Sequence, residues 1–364
     1  MEKTLRTDSR NNELVTVAQL ADFDEIIDTR SESEFAEDHI PGAVNYPVLN
    51  DDERVRVGTL YKQVSAFDAK KLGAALVSRN IARHLDTTFT QRPRNWRPLV
   101  YCWRGGSRSE ALAHVLRQVG WRAMRLDGGY KTYRRAVIDE LEVLPQRYRW
   151  CVVCGLTGSG KSRLLRALAL QGAQVLDLEA LAAHRGSVLG NLPDAPQPTQ
   201  KMFESHIWSA LRGFDPARPV FVEAESKKIG NLRVPQTLIA AMWESMCVKL
   251  DAAIDLRVAM LIDEYRHFVA DAGALGVQLD CLTAHYGEQQ ISAWKTLAAH
   301  GGWDALVREL LETHYDPAYT RSTLKHYPQL AAGTALTVTA NSDREFERLA
   351  TQCMAAISRQ LRAH

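Results

Sequence analysis

Short apolar runs alternate with longer amphipathic segments along the first 140 residues. Two of the longer segments, AKKLGAALVSRNIARHL and SRSEALAHVLRQVG, repeat apolar residues every three to four positions and therefore predict helices. The short runs have the length and the branched side chains typical of strands: EIID, AVNYPV, PLVYCW and AMRL. Strands separated by helices in this way predict a parallel α/β sheet.

The pattern breaks at LPQRYR, residues 144–149, and a second α/β pattern begins with the apolar run WCVVCGL. We therefore predict two domains, residues 1–145 and 146–364, each long enough to bury its own core. Further strands are predicted in the second domain at AQVLDLEAL, RPVFVEAES and ALTVTAN. Between residues 236 and 330 the apolar spacing predicts an almost wholly helical section.

The composition and the first residues of the chain indicate the class of protein and its cellular compartment. The 364 residues are 46% hydrophobic and 24% charged, as in an ordinary globular protein, and no apolar run approaches the roughly 20 residues that cross a bilayer. The first residues, MEKTLRTDSRNN, lack the apolar core of a signal peptide, which predicts a cytoplasmic protein. The six cysteines show no disulfide rhythm, and Cys151 and Cys154 fall in an apolar run that favours strand packing over metal or redox chemistry.

Positive charge is concentrated in one stretch of a chain whose net charge is only +2. Residues 79–149 hold 15 Lys and Arg against 6 Asp and Glu, an excess that favours contact with phosphate groups. The candidate contacts are Arg92, Arg94 and Arg97. A solvated basic face that binds nothing is the alternative interpretation.

The segment GLTGSGKS matches the P-loop pattern G-x-x-x-x-G-K-[ST] and lies between a predicted strand and a predicted helix. Its glycines allow successive backbone N–H groups to face one anion, Lys161 reaches the outer phosphate, and the Ser162 hydroxyl is suited to Mg²⁺. The motif leaves open whether a phosphoryl group is transferred or a diphosphate is only held. The predicted anion-binding residues are Gly155, Thr157, Gly158, Ser159, Gly160, Lys161 and Ser162.

Acidic residues at the ends of the next two strands are candidates for orienting Mg²⁺ or a water molecule. They are Asp177 and Glu179 in VLDLEAL, and Glu223 and Glu225 in VFVEAES. Ordinary surface carboxylates remain the alternative for each pair. No other metal site is predicted.

The segment YCWRGGSRSE places a cysteine where a strand ends and a helix begins. A helix N-terminus and nearby arginines favour a thiolate, which makes Cys102 a candidate nucleophile with Arg104 and Arg108 as its catalytic partners. The spacing C-x5-R from Cys102 to Arg108 occurs both in cysteine phosphatases and in rhodaneses. The surroundings favour a rhodanese, because IIDTRSESEFAEDHIPGAVNYPV resembles the rhodanese N-terminal signature and Tyr101 stands where the phosphatase motif has His.

The order of these motifs resembles the tRNA 2-selenouridine synthase family over nearly the whole chain. The resemblance rests on the two loops and on DTRSESEFAEDHIPGA, DLEALAAHRGSVLG, QPTQKMFE and VEAESKKIGNLRVP. It implies an N-terminal rhodanese-like parallel-sheet domain followed by a P-loop NTPase-like α/β domain with a helical section. It also implies an activity, the conversion of 2-thiouridine to 2-selenouridine at the wobble position of tRNAs for Lys, Glu and Gln.

The implied reaction has two steps and two co-substrates, with no tightly bound prosthetic group. Geranyl diphosphate alkylates the thione sulfur at the P-loop, with or without Mg²⁺, and selenium from selenophosphate then replaces the S-geranyl group through Cys102 as a covalent carrier. The resemblance further implies that the basic stretch guides tRNA and that Trp96 or Trp103 stacks on an extruded base, packing being the alternative for both rings. The geranyl chain is expected to bind in the helical section, most of which is accounted for by ordinary core packing. The rival functions are a rhodanese–kinase fusion that uses ATP in sulfur transfer, and a module that binds tRNA or senses redox state without catalysis.

Overall fold

The computed structural model describes residues 13–187, 189–193 and 195–363, without the side chains of residues 322–324 and 363. The predicted lack of a signal peptide concerns the first twelve residues and lies outside the described part. The chain divides into two compact units after Glu140, whereas the sequence pattern places the domain boundary after residue 145. Each unit is built on one five-stranded parallel sheet, so the predicted α/β class is confirmed.

The first unit has the strand order β1-β5-β4-β2-β3, with β4 in the middle of the sheet. Three-residue and six-residue 3₁₀ turns lie at Phe89–Gln91 and Val17–Asp22. The strands are β1 Leu14–Val15, β2 Glu25–Asp28, β3 Val44–Asn45, β4 Pro98–Tyr101 and β5 Met124–Leu126. The helices are α1 Glu32–Glu37, α2 Asp51–Gln63, α3 Ala66–Thr87, α4 Ser107–Val119 and α5 Gly129–Leu141.

The second unit has the strand order β12-β11-β6-β8-β7, again with the strand before the glycine loop, β6, in the middle, and a separate β9-β10 hairpin. The strands are β6 Trp150–Cys154, β7 Gln174–Leu176, β8 Val220–Glu223, β9 Lys228–Ile229, β10 Leu232–Arg233, β11 Met246–Ala252 and β12 Thr334–Val338. The helices are α6 Lys161–Leu170, α7 Leu178–Leu181, α8 Gln200–Arg212, α9 Gln236–Trp243, α10 Ile254–Glu264, α11 Arg266–Ala270, α12 Ala272–Asp280, α13 Thr283–Ala299, α14 Trp303–Leu310, α15 Asp316–His326 and α16 Asp343–Ala363. The π-helical turn Leu311–Tyr315 joins α14 to α15, and 3₁₀ turns lie at Leu144–Arg147 and Pro328–Ala332.

One part of the predicted helical section is a strand. Residues 236–330 are mostly helical, but Met246–Ala252 forms β11 and pairs in parallel with both β6 and β12. The prediction of an almost wholly helical section is therefore wrong at these seven residues. Cys247, Val248 and Leu250 are buried in the sheet, whereas Lys249 is exposed and Asp251 is only partly buried. So short an alternation of apolar and polar residues between two helical segments does not distinguish a strand from a helix.

The central strand of each sheet, β4 or β6, is buried along its whole length. In the second unit, α6 and α16 pack on the sheet through Leu164, Leu168, Phe346 and Leu349, which are all buried. The described helices include none that is both long enough and apolar enough to cross a membrane.

Helix α2, which is absent from the predicted elements, begins with a reciprocal cap. The Asn50 side chain accepts a hydrogen bond from Glu53 N at 2.8 Å, and the Glu53 carboxylate accepts one from Asn50 N at 3.1 Å. We expect Asn50→Ala to lower the free energy of unfolding by about 1 kcal/mol, because the Glu53 amide at the start of the helix loses its side-chain acceptor. Urea denaturation measures the change. Thr59→Ala, an exposed position on α2, is the control and should stay within about 0.5 kcal/mol; equal values for the two variants would contradict the capping role.

Candidate active site

Cys102 follows the central strand of the first sheet. Strand β4 ends at Tyr101, and α4 begins at Ser107 with Gly106 as its N-cap. The Cys102 sulfur lies 3.2 Å from Ser109 Oγ and 3.8 Å from the Gly106 carbonyl oxygen. The thiol therefore lies at the N-terminal end of α4, at the carboxyl edge of a parallel sheet, where ligands bind in open α/β folds.

A glycine at the start of α5 holds this loop in place. Gly129 has a φ of +60°, and a Cβ at this position would lie 2.3 Å from the Cys102 carbonyl oxygen. The absence of a side chain allows Tyr130 N to donate to Cys102 O at 2.8 Å and Lys131 N to donate to Trp103 O at 3.0 Å. The segment LDGGYKTYRRAV is thus the support of the thiol loop.

The rhodanese-type signature forms a buried network beside the loop. Asp28 and Arg30 are almost fully buried, and the Arg30 Nη2 donates to Asp28 Oδ2 and to the Asp38 carbonyl oxygen, both at 2.6 Å. The Arg30 guanidinium also lies 4.0 Å from the centre of the Tyr130 ring, and the Tyr130 hydroxyl donates to Asp38 at 2.8 Å. The buried Asp28–Arg30 ion pair therefore has several further polar and ring partners, as a buried ion pair needs. Its contact with the Tyr130 ring holds in place the residue that follows Gly129.

The two predicted arginine partners of Cys102 are placed differently. The Arg108 guanidinium donates to Glu34 at 2.7 Å, whereas Arg104 is exposed. Burial acts to raise the pKa of Glu34, but hydrogen bonding to Arg108 and the charges of Arg108 and Arg54 outweigh it and lower that pKa. Within the described part of the chain, the polar contacts of the Cys102 sulfur are with Ser109 and Gly106. The catalytic roles of Arg104 and Arg108 stay predictions.

The glycine loop follows β6 and leads into α6, which begins at Lys161. Gly160 has a φ of +87°, and a Cβ there would lie 2.5 Å from the Phe346 ring. The Lys161 ammonium donates to the Gly155 carbonyl oxygen at 2.9 Å, while Gly155 N donates to the Tyr319 hydroxyl at 2.6 Å. Lys161 and Tyr319 thus both contact the loop where the P-loop pattern predicts a bound anion.

A residue of α10 makes a further contact with the glycine loop. The Arg257 Nε donates to the Thr157 carbonyl oxygen at 2.8 Å, and the same buried guanidinium pairs with Asp316 at 2.9 and 2.6 Å. Ser159 is 1% exposed, and its hydroxyl has no hydrogen-bond partner among the described residues. Arg257 therefore links the loop to α15.

Three of the four predicted carboxylates form one cluster beside Ser162. The Ser162 hydroxyl donates to Glu179 at 3.0 Å, and Glu179 N donates to the Glu223 carboxylate at 2.9 Å. Desolvation, followed by the charge of Glu179, raises the pKa of Glu225 to about 8. Desolvation also raises the pKa values of Glu179 and Glu223. The fourth carboxylate, Asp177, caps α7 by accepting from Ala180 N at 2.8 Å.

The donor set at this cluster suits a hard cation only in part. The Ser162 hydroxyl and the Glu179 carboxylate supply oxygen ligands, which Mg²⁺ prefers, and Mg²⁺ commonly takes the rest of its shell from water and substrate phosphates. Within the described part of the chain, no group of three or more acidic, His or Cys side chains is arranged to hold a metal ion. Ser162 and Glu179 are thus the residues that would hold Mg²⁺ next to a bound diphosphate.

A cavity of about 330 Å³ lies over the glycine loop and contains residues that the sequence analysis missed. Lys161, Ser162 and Glu225 line it together with Arg185 and Tyr327. The Arg185 guanidinium lies 4.6 Å from the Tyr265 ring centre, and its Nη1 is buried without a hydrogen-bond partner among the described residues. A lone positive charge in the segment AHRGS, after the second predicted strand of this domain, is the signal that could have pointed to Arg185.

A second, apolar cavity adjoins the first. Thr157, Ser187, Leu261, Tyr265 and Tyr315 line both cavities. Apart from Leu189, the residues that line only the apolar cavity come from the helical section and include Phe268, Leu275, Trp303, Leu306 and Leu310. The site therefore joins an anion-binding loop to a hydrocarbon-lined space, the composition of pockets that bind amphipathic ligands.

The predicted nucleic-acid contacts lie at the opposite end of β4 from Cys102. Arg92 pairs with Glu25 at 2.9 Å and Arg97 pairs with Asp24 at 3.3 Å, while Arg94 is exposed. Two of the three charges are thus shared with carboxylates, and the role of all three in tRNA binding stays a prediction.

Burial decides the alternatives for Trp96 and for the two strand cysteines, whereas the stacking role of Trp103 stays a prediction. Trp96 is 4% exposed and packs against Phe89 and Trp121, so it belongs to the core and offers no stacking platform. Trp103 is 37% exposed and stacks on Tyr130. Cys151 and Cys154 are both fully buried in β6, which confirms the prediction of strand packing. Burial also raises the pKa of Cys151.

A thiol loop and a P-loop, each after the central strand of a parallel sheet, define a two-domain protein of the rhodanese and P-loop type. Family models agree with both parts: residues 13–136 match the rhodanese-like domain and residues 148–279 match the tRNA 2-selenouridine synthase AAA domain. The chain belongs to the tRNA 2-selenouridine synthase family.

Relatives named tRNA 2-selenouridine synthase support this assignment. The protein from Marinobacter nauticus is 32% identical over 329 residues, which cover 81% of this chain and 87% of the relative. The protein from Nitrosomonas europaea is 36% identical over 244 residues, and the match spans 66% of this chain and 63% of the relative, less than two thirds of its length.

A solved structure of a rhodanese-related protein from Thermoplasma volcanium is 17% identical over 35% of this chain and 92% of that chain, with a TM-score of 0.22.

Proposed function

We propose that the protein is a transferase that converts 2-thiouridine to 2-selenouridine at the wobble position of tRNAs for Lys, Glu and Gln. In the first step geranyl diphosphate alkylates the thione sulfur, and in the second step selenium derived from selenophosphate replaces the S-geranyl group. The name shared by the relatives supports the overall reaction. A cytoplasmic location, where tRNA is available, is part of this proposal.

The single observation that carries the first step is the apolar cavity that adjoins the anion-binding cavity. A prenyl diphosphate matches these two adjoining cavities, because its anionic head is joined directly to a hydrocarbon chain. As the allylic C–O bond breaks and the sulfur–carbon bond forms, the N3 proton of the base leaves to solvent and the negative charge on diphosphate increases. Lys161 and Arg185 would stabilise this charge, and Mg²⁺, when bound by Ser162 and Glu179, supplies further neutralisation.

The second step is supported by the position of Cys102 at the start of α4. The thiolate would attack selenium, an S–Se bond would form, and the Se–P bond would break with its electron pair remaining on phosphorus, which takes up a proton and leaves as phosphite. One cellular thiol would then attack the Cys102 sulfur and release selenide, leaving a mixed disulfide, and a second thiol would restore the Cys102 thiol. The selenide would attack C2 of the alkylated base, with geranyl thiol leaving. Alkylation makes this exchange feasible because it turns a poor leaving group into a thiol.

Mass spectrometry of nucleosides tests the proposal. An RNA that contains 2-thiouridine is incubated with the protein and geranyl diphosphate, and then with selenophosphate and a thiol reductant. S-geranyl-2-thiouridine followed by 2-selenouridine is the expected sequence of products. A requirement for ATP hydrolysis in sulfur transfer would instead support the rhodanese–kinase function, and RNA binding with no change in nucleoside mass would support a module without catalysis.

The residues that line only the apolar cavity should set the length of the prenyl chain that is accepted. Trp303 lines this cavity but not the anion-binding cavity and is only partly buried, so Trp303→Ala should enlarge the cavity without removing a fully buried side chain. We expect farnesyl diphosphate to gain about tenfold or more in kcat/KM relative to geranyl diphosphate, because each added methylene is worth about 1 kcal/mol or more in an apolar pocket. Competition between the two diphosphates measures the ratio.

Val277→Ala is the matched control for this prediction. Val277 belongs to the same helical section, on α12, but is 67% exposed and outside the cavity. An unchanged ratio is expected for this variant. If Trp303→Ala and Val277→Ala gave the same ratio, the prenyl chain would bind elsewhere.

A further inference from the structure

A surface of aromatic and basic side chains borders the anion-binding cavity. Ser226 and Tyr327 line the cavity, and the residues next to them in the sequence, Lys227 and His326, contact the same Trp243 ring. The His326 ring stacks on Trp243 with centroids 4.1 Å apart and an interplanar angle of 14°. The Lys227 ammonium lies 5.2 Å from the centre of the Trp243 ring. We define the aromatic–lysine patch as Lys227, Lys228, Trp243, Lys325 and His326.

The positive charges of the patch are available to a partner. Lys227, Lys228 and Lys325 are exposed, and none of them forms an ion pair within the described part of the chain. Desolvation, and then the charges of Lys325 and Lys227, lower the pKa of His326. These ammonium groups thus flank an aromatic pair, unlike Arg92 and Arg97, whose charges are shared with carboxylates.

Tyr327 connects the patch to the cavity. Its side chain is 4% exposed, and its hydroxyl is buried without a hydrogen-bond partner among the described residues. A buried hydroxyl that is unpaired costs free energy, and Tyr327 lines the same cavity as Lys161 and Glu225. The unsatisfied hydroxyl therefore points to a polar ligand group that enters the cavity from the side of the patch.

We propose that the aromatic–lysine patch binds a single-stranded polynucleotide next to the base that reacts in the anion-binding cavity. Stacked rings hold unpaired bases of any sequence, and ammonium groups pair with the phosphates between them. An acidic peptide would use the lysines alone, whereas a polynucleotide uses the rings as well. The inference rests on the proposed function, since it identifies the surface through which the RNA substrate reaches the prenyl diphosphate.

Binding measurements on the full chain test this assignment. The double variant Lys227→Glu/Lys325→Glu should bind tRNA that contains 2-thiouridine at least about tenfold more weakly. The slope of log affinity against log salt should fall by about 2, because each of the two lysines no longer neutralises a phosphate. Trp243→Ala should weaken binding by about tenfold because a stacking surface is removed. A short single-stranded RNA should compete for the wild-type protein, and a duplex of the same length should compete poorly.

A matched control separates local from general charge effects. Arg344→Glu/Arg359→Glu reverses two exposed charges on α16 of the same unit and should alter tRNA affinity less than about threefold at moderate salt. Lys227→Gln/Lys325→Gln removes the two charges without reversing them and should show an intermediate loss of affinity. This second variant keeps the test valid if the charge-reversed variant fails to fold. Geranyl diphosphate affinity should be unchanged in all patch variants.

The results distinguish the two proposals. If the wild-type protein failed to bind tRNA, the proposed function itself would be contradicted. If the wild type bound tRNA and the patch variants bound as tightly as the α16 control, the patch assignment alone would be overturned. Equal competition by single-stranded and duplex RNA would also overturn it.

Discussion

Cys102→Ala is expected to abolish the formation of 2-selenouridine and to leave S-geranyl-2-thiouridine as the accumulating product. Alkylation needs the anion-binding loop and the nucleophilic thione sulfur, neither of which involves a protein thiol. The second step needs a sulfur nucleophile to accept selenium, and Cys102 is the thiol placed at a helix N-terminus in the rhodanese-like domain. Nucleoside masses measured after each step show which product is present.

Two cysteine variants provide the controls. Cys151→Ala and Cys154→Ala remove thiols that are buried in β6, and they should retain both steps apart from a loss of stability. Treatment of the wild type with selenophosphate should add the mass of one selenium atom to the peptide that contains Cys102. Selenouridine made at the wild-type rate by Cys102→Ala would show that selenium reaches the base without a cysteine carrier.

Lys161→Ala is expected to slow geranylation by about 100-fold or more. The ammonium now donates to the Gly155 carbonyl oxygen at 2.9 Å, and in the complex it would stabilise the departing diphosphate. Removal of one such interaction in the transition state typically costs about 3 kcal/mol, which corresponds to that factor. Single-turnover formation of S-geranyl-2-thiouridine measures the rate.

Arg359→Ala is a suitable comparison for Lys161→Ala, since it removes an exposed positive charge from the same unit, on α16. Its geranylation rate should equal that of the wild type. Normal product formation by Lys161→Ala would show that the glycine loop has no role in the alkylation step.

The sequence predicted the two loops because their chemistry is local. A strand, a glycine-rich turn and a helix are consecutive in the chain, so Cys102 and Lys161 are placed by their immediate neighbours. The partners that complete each loop are distant: Glu34 pairs with Arg108 across 74 residues, and Tyr319 reaches Gly155 from 164 residues away. A single sequence contains no record of such contacts.

Strand β11 shows a different limit of sequence interpretation. Met246–Ala252 alternates apolar and polar residues only over residues 248–251, and its flanks, α9 and α10, are true helices. Its place between β6 and β12 was decided by tertiary pairing rather than by local pattern. Arg185 was missed for a related reason, because a single arginine shows its role only when the cavity it faces is known.

The hydrogen bond from Gly155 N to the Tyr319 hydroxyl has a consequence for competition among cellular anions. A ligand that accepts a hydrogen bond from the Gly155 amide must displace the Tyr319 hydroxyl from it. One hydrogen bond is then exchanged for another, and little net free energy of binding is gained. Inorganic phosphate, which is abundant and has no hydrocarbon chain, then gains little from this amide. A ligand that also buries a chain retains the hydrophobic contribution in full. The tyrosine hydroxyl thus acts as an internal competitor of small anions for this amide of the loop.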